Sequence, residues 1–138
     1  MRGRPILLDT CAAIWLSNSS ALTDEAENAL QKAQSLGTQI LLSPITAWEV
    51  GMLVSKGRLL LTLPPLKWFE AMLESGVDLA ELSPEILVSS SSLPGLPLRD
   101  PADRIIAATA RLEGYTLMTR DKPLLAFAAA GHATAIAC

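Results

Sequence analysis

Four acids in this chain are of the right type and spacing to do chemistry together: Asp9, Glu49, Asp103 and Asp121. A set of carboxylates with no histidine or cysteine expected beside it makes a hard, oxygen-only donor group. Such a group suits Mg²⁺ or Mn²⁺ better than zinc or copper. The lone His132, between Gly131 and Ala133, is read as unrelated to catalysis. Thr10 and Thr119 stand close to the acids in sequence. Their hydroxyls either orient a metal-bound water or cap and satisfy backbone groups. Taken singly, the acids also have ordinary readings: Asp9 as the end of a strand, Asp121 as a turn residue, Asp103 as part of a capping box with Asp100. Glu49 is harder to explain that way. On a helical wheel it falls between Ile45 and Leu53, in an arc shared with Trp48 and Met52, and so is expected to face partly inward. A lone carboxylate there needs a charged partner or a proton.

These acids can meet only if the chain folds so that distant segments share an edge. Pro5 to Leu8 is a short apolar run, long enough for a buried parallel strand that ends in Asp9. A helix from about Cys11 to Ser17 follows, then one that Thr23 caps and Gly37 stops, with Asp24 and Glu25 in its first turn. Ile40 to Leu42 reads as the second strand. Ser43 and Pro44 open a helix that carries Glu49 and ends near Gly57. Arg58 to Leu63 reads as a short extended piece, Pro65 to Glu74 as a helix and Val77 to Leu82 as a third strand. A brief helix after Ser83 and Pro84 leads to the loop Leu93 to Arg99. Asp100, Pro101 and Asp103 open the best-marked helix, which stops at Gly114. Strand Tyr115 to Thr119, helix Lys122 to Ala130 and strand Ala133 to Ala137 complete the chain. Alternating strands and helices imply an α/β fold in three layers, a mostly parallel central sheet flanked by helices, with right-handed crossovers. In such sheets the carboxyl ends of strands and the amino ends of the following helices share one edge, where ligands bind. All four acids fall on that edge, with Glu49 roughly 8 Å along its helix.

A length of 138 residues, half of them hydrophobic and 18% charged, suits one packed domain spanning residues 1–138. Arg2 and Arg4 ahead of the run Ile6 to Leu16 imitate an export signal, but Asp9 interrupts it. No run reaches the roughly 18 apolar residues of a membrane-spanning helix. Cys11 and Cys138 show no ligand spacing and no disulfide framework, so a soluble protein of the reducing cytoplasm, with two free thiols, is expected. The net charge of −3 runs against nucleic-acid binding. Setting aside the four acids and Asp100 leaves nine acidic residues against eleven basic ones, and divalent cations would neutralise the acidic remainder. The bulky stretch Trp68, Phe69, Met72 and Leu73 is more than one face of a short helix readily hides, and part of it is assigned to a homodimer surface, with plain core packing as the alternative.

At four places the sequence resembles a known family. Leu7-Leu8-Asp9-Thr10-Cys11-Ala12-Ala13-Ile14-Trp15-Leu16 looks like the opening of PIN-domain toxins of the VapC family, in which a strand delivers an aspartate followed by Ser or Thr. Ser43-Pro44-Ile45-Thr46-Ala47-Trp48-Glu49-Val50, with the later Gly57-Arg58-Leu59, resembles the second motif. The segment Asp100 to Ala110 resembles the third and Thr119-Arg120-Asp121 the fourth. The resemblance implies a PIN-like fold and a metal-dependent endoribonuclease, acting as the toxin of a toxin–antitoxin pair, commonly a homodimer, inhibited by an antitoxin whose tail enters the active-site groove. It further implies Mg²⁺ or Mn²⁺ held by Asp9, Glu49, Asp103 and Asp121, with Asp9 and Asp103 as principal ligands, for in-line attack of water on an RNA phosphodiester. Arg104, Lys56, Arg58, Lys67 and Arg120 are candidate RNA contacts. Leu98 and Arg99 depart from the family pattern ahead of the third motif, where relatives often carry a histidine or another basic residue. A phosphoaspartyl enzyme would need an aspartate where Cys11 stands, and a dinucleotide-binding domain a glycine-rich turn after the first strand; neither is present. A catalytically silent PIN-like module that only binds a partner is the alternative from another class. It would be marked by loss of an acid, and none is lost.

Overall fold

Short segments of two to four residues form the sheet, and the alternation of their apolar side chains feeds two cores. In the computed structural model, which describes residues 3–95 and 97–138, the strands are β1 (Ile6–Leu8), β2 (Ile40–Leu42), β3 (Asp78–Leu79), β4 (Thr116–Thr119) and β5 (Thr134–Ala137). They pair in the order β3-β2-β1-β4-β5, and every pairing is parallel. Because side chains alternate across a strand, Ile6, Leu8, Ile40, Leu42 and Met118 enter one core and Leu7, Leu41 and Leu117 the other. Helices α1 (Thr10–Ser17), α2 (Asp24–Leu36) and α4 (Pro65–Glu74) cover the first face. The second lies under α6 (Pro101–Glu113) and α7 (Lys122–Ala129). Two further helices, α3 (Pro44–Ser55) and α5 (Pro84–Ser89), complete the set. The three-layer α/β expectation holds, with the sheet wholly rather than mostly parallel. Arg2, part of the apparent export signal, and Leu96, within the loop Leu93 to Arg99, lie outside the described residues.

Capping chemistry sets the helix ends. Thr23 accepts the Ala26 N–H at 3.1 Å, and its hydroxyl also donates to the Ala137 carbonyl at 2.8 Å, so one side chain starts α2 and ties it to β5. Gly37 and Gly114 close α2 and α6 in the left-handed region, at φ 69° and 72°, where a side chain would be strained.

Arg58 to Leu63, read as a short extended piece, joins no sheet among the described residues, and Leu60 is 93% exposed. Two other expectations fail locally. The third strand shrinks to two residues, Asp78 and Leu79, which pair with Leu41 and Leu42 at the end of the three-residue β2. The bulky stretch of α4 is core: Trp68, Phe69 and Met72 are buried, Leu73 packs against them, and the Trp68 indole N–H donates to Ser17 Oγ at 3.0 Å. Those positions span about 140° of the helix, an arc turned into the first core and packed chiefly against α3 and the end of α1, so they cannot serve as the expected dimer surface.

Candidate active site

β1 and β4 are neighbours at the centre of the sheet, and their carboxyl ends deliver the first and last acids side by side. Asp9 is 2% exposed and caps α1, its Oδ1 accepting the Ala12 N–H at 2.7 Å. Its Oδ2 accepts the Thr119 hydroxyl. Thr119 is buried in turn and accepts the Asp121 N–H at 3.0 Å, while Asp121 caps α7 by accepting the Leu124 N–H at 3.0 Å. A chain of hydrogen bonds thus runs from the α7 cap through Thr119 to Asp9 and α1. Of the two readings of Thr119, the one that satisfies a backbone group holds, and the same hydroxyl also fixes Asp9. Thr10 bonds instead with Thr46, oxygen to oxygen at 3.0 Å, and both are buried. This pair joins the end of β1 to the first turn of α3, three residues before Glu49.

Burial pushes the Asp9 carboxyl above the usual range, although the Thr119 and Ala12 hydrogen bonds pull it back; Asp121 raises it and Arg120 lowers it. Burial likewise raises Glu49, the Thr10 hydroxyl offsetting part of the effect and Asp100, Asp9 and Asp121 adding to it. Glu49 is half-buried as expected, and its Oε1 has no hydrogen-bond partner among the described residues. Trp48, placed in the same inward arc by the wheel, points outward at 50% exposure. Asp103 is pushed up to about 8, by burial first and then by Asp100, Asp121, Glu49 and Asp9. The cap of α6 is Asp100, which accepts the N–H groups of Ala102 at 2.8 Å and Asp103 at 3.4 Å.

Cys11 contradicts the expectation that no cysteine lies near the acids. Its thiol is pushed up to about 12 by burial and by Asp9, Glu49, Asp103 and Asp121 together. One sulfur thus feels all four acids, so segments far apart in the chain do converge on one cleft. Asp100, set beside the four acids in the charge count but read only as the opening of α6, acts on Glu49 and Asp103 as a fifth acid of the cluster, and Thr46, which sequence reading passed over, is the partner of Thr10. The Asp-Pro opening of α6 was the available signal for Asp100; nothing in the sequence pointed to Thr46. Arg120, a candidate RNA contact, is already engaged: its guanidinium lies 3.4 Å over the Trp15 ring and donates to the carbonyls of Cys138 at 2.8 Å and Ala21 at 3.3 Å. His132 lies apart from the acids, packed against Phe127 with ring centroids 5.2 Å apart.

The donor set fits a hard divalent cation in kind. The neighbouring acids raise the proton affinity of Glu49 and Asp103, and the buried Glu49 Oε1 lacks a partner among the described residues. Its spacing is not yet that of a closed shell: among the described residues no group of three or more His, Cys, Asp or Glu side chains is arranged to hold a metal ion as it stands.

A family model for the PIN domain matches residues 6–130, which contain all four acids. The chain belongs to the PIN domain family. Ribonuclease VapC22 of Mycobacterium tuberculosis is 32% identical to this PIN domain over 120 residues, 86% of this chain and 88% of the relative. VapBC2 from Rickettsia felis, solved bound to a DNA fragment from its promoter, shares the fold with a TM-score of 0.69 at 20% identity, over 96% of this chain and 98% of that one. A toxin–antitoxin complex from Klebsiella pneumoniae matches with a TM-score of 0.57 at 27% identity, over 88% and 90% of the two chains. Among the described residues, no helix of this PIN domain is long and apolar enough to cross a membrane.

Proposed function

We propose that this PIN domain is a metal-dependent endoribonuclease and the toxin of a type II toxin–antitoxin pair, working as a single domain in the cytoplasm. The observation that carries the reading is the convergence of Asp9, Glu49, Asp103 and Asp121 around Cys11. The ribonuclease name of the 32% identical relative supports the substrate class, and the toxin–antitoxin complex at 27% identity supports an antitoxin partner. One or two Mg²⁺ or Mn²⁺ ions held by the four acids would supply an activated water and neutralise charge developing on the phosphate. Asp9 and Asp103 are the principal ligands in this reading, with Glu49 and Asp121 completing the shell. Asp9 is held in place by Ala12 and Thr119, so it can accept a cation without first being ordered. Burial and the neighbouring acids push Asp103 up to about 8, and a bound divalent cation would favour its charged form. Lys56, Arg58 and Lys67 are exposed and remain candidate contacts to the RNA backbone, with the half-buried Arg104 beside Asp103. A homodimer, as the family resemblance implies, must use a surface other than the buried Trp68 face.

The test has two arms. Purified protein should cleave single-stranded RNA with Mg²⁺ or Mn²⁺ and stop in excess chelator. In a bacterial host without antitoxin, the wild type should arrest growth, and Asp9→Asn or Asp103→Asn at matched soluble levels should relieve it. Losing one key electrostatic group typically costs on the order of 10²-fold or more in rate. Cleavage that persists in chelator, or substituted proteins as toxic as the wild type, would refute the site.

A further inference from the structure

Trp48 is half-exposed, whereas Trp68, Phe69 and Phe127 are each buried and Trp15 lies stacked under Arg120. It sits two residues from each of the buried Thr46 and Val50, about 200° around α3 from both, and so on the side of the helix away from the core. Glu49 is the next residue, about 100° away, between the buried and the open faces. Crossing α3 outward from the acid cluster therefore leads from a carboxylate to a bare indole. Lys56, the C-cap of α3, lies seven residues beyond Glu49, roughly 10 Å along the axis, and Arg58 follows it. An aromatic face next to the acids, with one cation at the C-cap of α3 and a second just past the left-handed Gly57, matches the alternating bases and phosphates of a single strand.

We propose that Trp48 is a stacking platform for an unpaired base next to the scissile phosphate, with Lys56 and Arg58 contacting phosphates further along, so that α3 is the track for single-stranded RNA. The proposal rests on the ribonuclease reading and narrows it, because a base can stack on an indole only when it is free of a duplex. Stacking tolerates any base, so Trp48 confers preference for single strands rather than for a sequence.

The experiment measures binding of one labelled RNA, single-stranded and as a duplex with its complement, by anisotropy in Mg²⁺. It uses Asp103→Asn protein in three forms: with Trp48 intact, with Trp48→Phe and with Trp48→Ala. Trp48→Ala should weaken single-strand binding roughly 5- to 150-fold, Trp48→Phe should retain most of it, and duplex affinity should not move. Quenching of tryptophan fluorescence on binding should shrink in both variants. With Asp103 restored, Trp48→Ala should raise KM for the single strand and leave kcat near its starting value. Unchanged single-strand affinity overturns the proposal, as does an equal loss for single strand and duplex. So does a shift in oligomeric state with single-strand affinity intact, which would assign Trp48 to an interface between copies. If wild type cuts RNA and Trp48→Ala binds normally, only the stacking role falls. If wild type cuts no RNA, the ribonuclease reading falls, and the binding comparison still decides on Trp48.

Discussion

Crowded carboxylates make this protein's stability depend on pH in a direction opposite to the common one. Asp103 moves from an ordinary 3.8 to about 8 in the fold. Between those values the native state holds a proton that the unfolded chain has released. The unfolding free energy therefore falls as pH rises through that window and levels off above it. At full weight the shift corresponds to roughly 6 kcal/mol. Asp103 keeps contact with solvent, and screening leaves on the order of 1–2 kcal/mol. The raised carboxyls of Asp9 and Glu49 add in the same direction. Urea unfolding in chelator at pH 5, 6, 7 and 8 should thus show the wild type weakening with pH. Asp103→Asn should flatten that slope and be the more stable protein at pH 8. Saturating Mg²⁺ should restore the wild type at pH 8, by about 2.7 kcal/mol at a hundredfold excess over Kd. A wild-type stability that is level or rises from pH 5 to 8, or a slope unchanged by Asp103→Asn, would refute the electrostatic argument.

Other substitutions probe the scaffold. Thr46→Val breaks the buried pair with Thr10 and strands a hydroxyl, so it should cost about 1–3 kcal/mol in urea unfolding and lower cleavage through Glu49; unaltered stability would mean that Thr10 finds another partner. Gly114→Ala meets no atom within 4 Å among the described residues, so only the left-handed backbone at φ 72° opposes it; a loss of about 1 kcal/mol is expected, and none would show that the α6 stop relaxes freely. Trp68→Ala should cost about 3–5 kcal/mol with no change in oligomeric state by light scattering; dissociation of a dimer would instead return this residue to an interface.

Cap residues carried most of what could be read in advance. Thr23 with Gly37, Ser43 with Pro44, and Asp100 with Gly114 set helix ends by local hydrogen bonding, which is why those boundaries were legible from composition and spacing. The topological rule placing strand ends and helix starts on one edge then brought the four acids together without knowledge of any contact. What was missed depended on distance. Whether Trp68 is covered is decided by α1, and whether Arg120 is free is decided by Trp15, Ala21 and Cys138. Arg58 to Leu63 has an apolar content fit for a strand, but only the sheet order could say that no partner was there among the described residues. Cys11 was judged by ligand spacing, a test blind to acids that arrive from elsewhere in the chain.

The central strand is the first made, but its partner β4 and the hydroxyl that fixes Asp9 belong to the end of the chain: Asp9 and Thr119 are 110 residues apart. While the protein is being synthesised, Asp9 therefore emerges early and waits on an unfinished sheet edge, with no β4 to pair against and no Thr119 to hold it. Pairings over such separations form late and slowly. A nascent or truncated chain consequently carries the first acid without the cleft, and a destructive activity would be withheld from the ribosome producing it until nearly the last strand is in place.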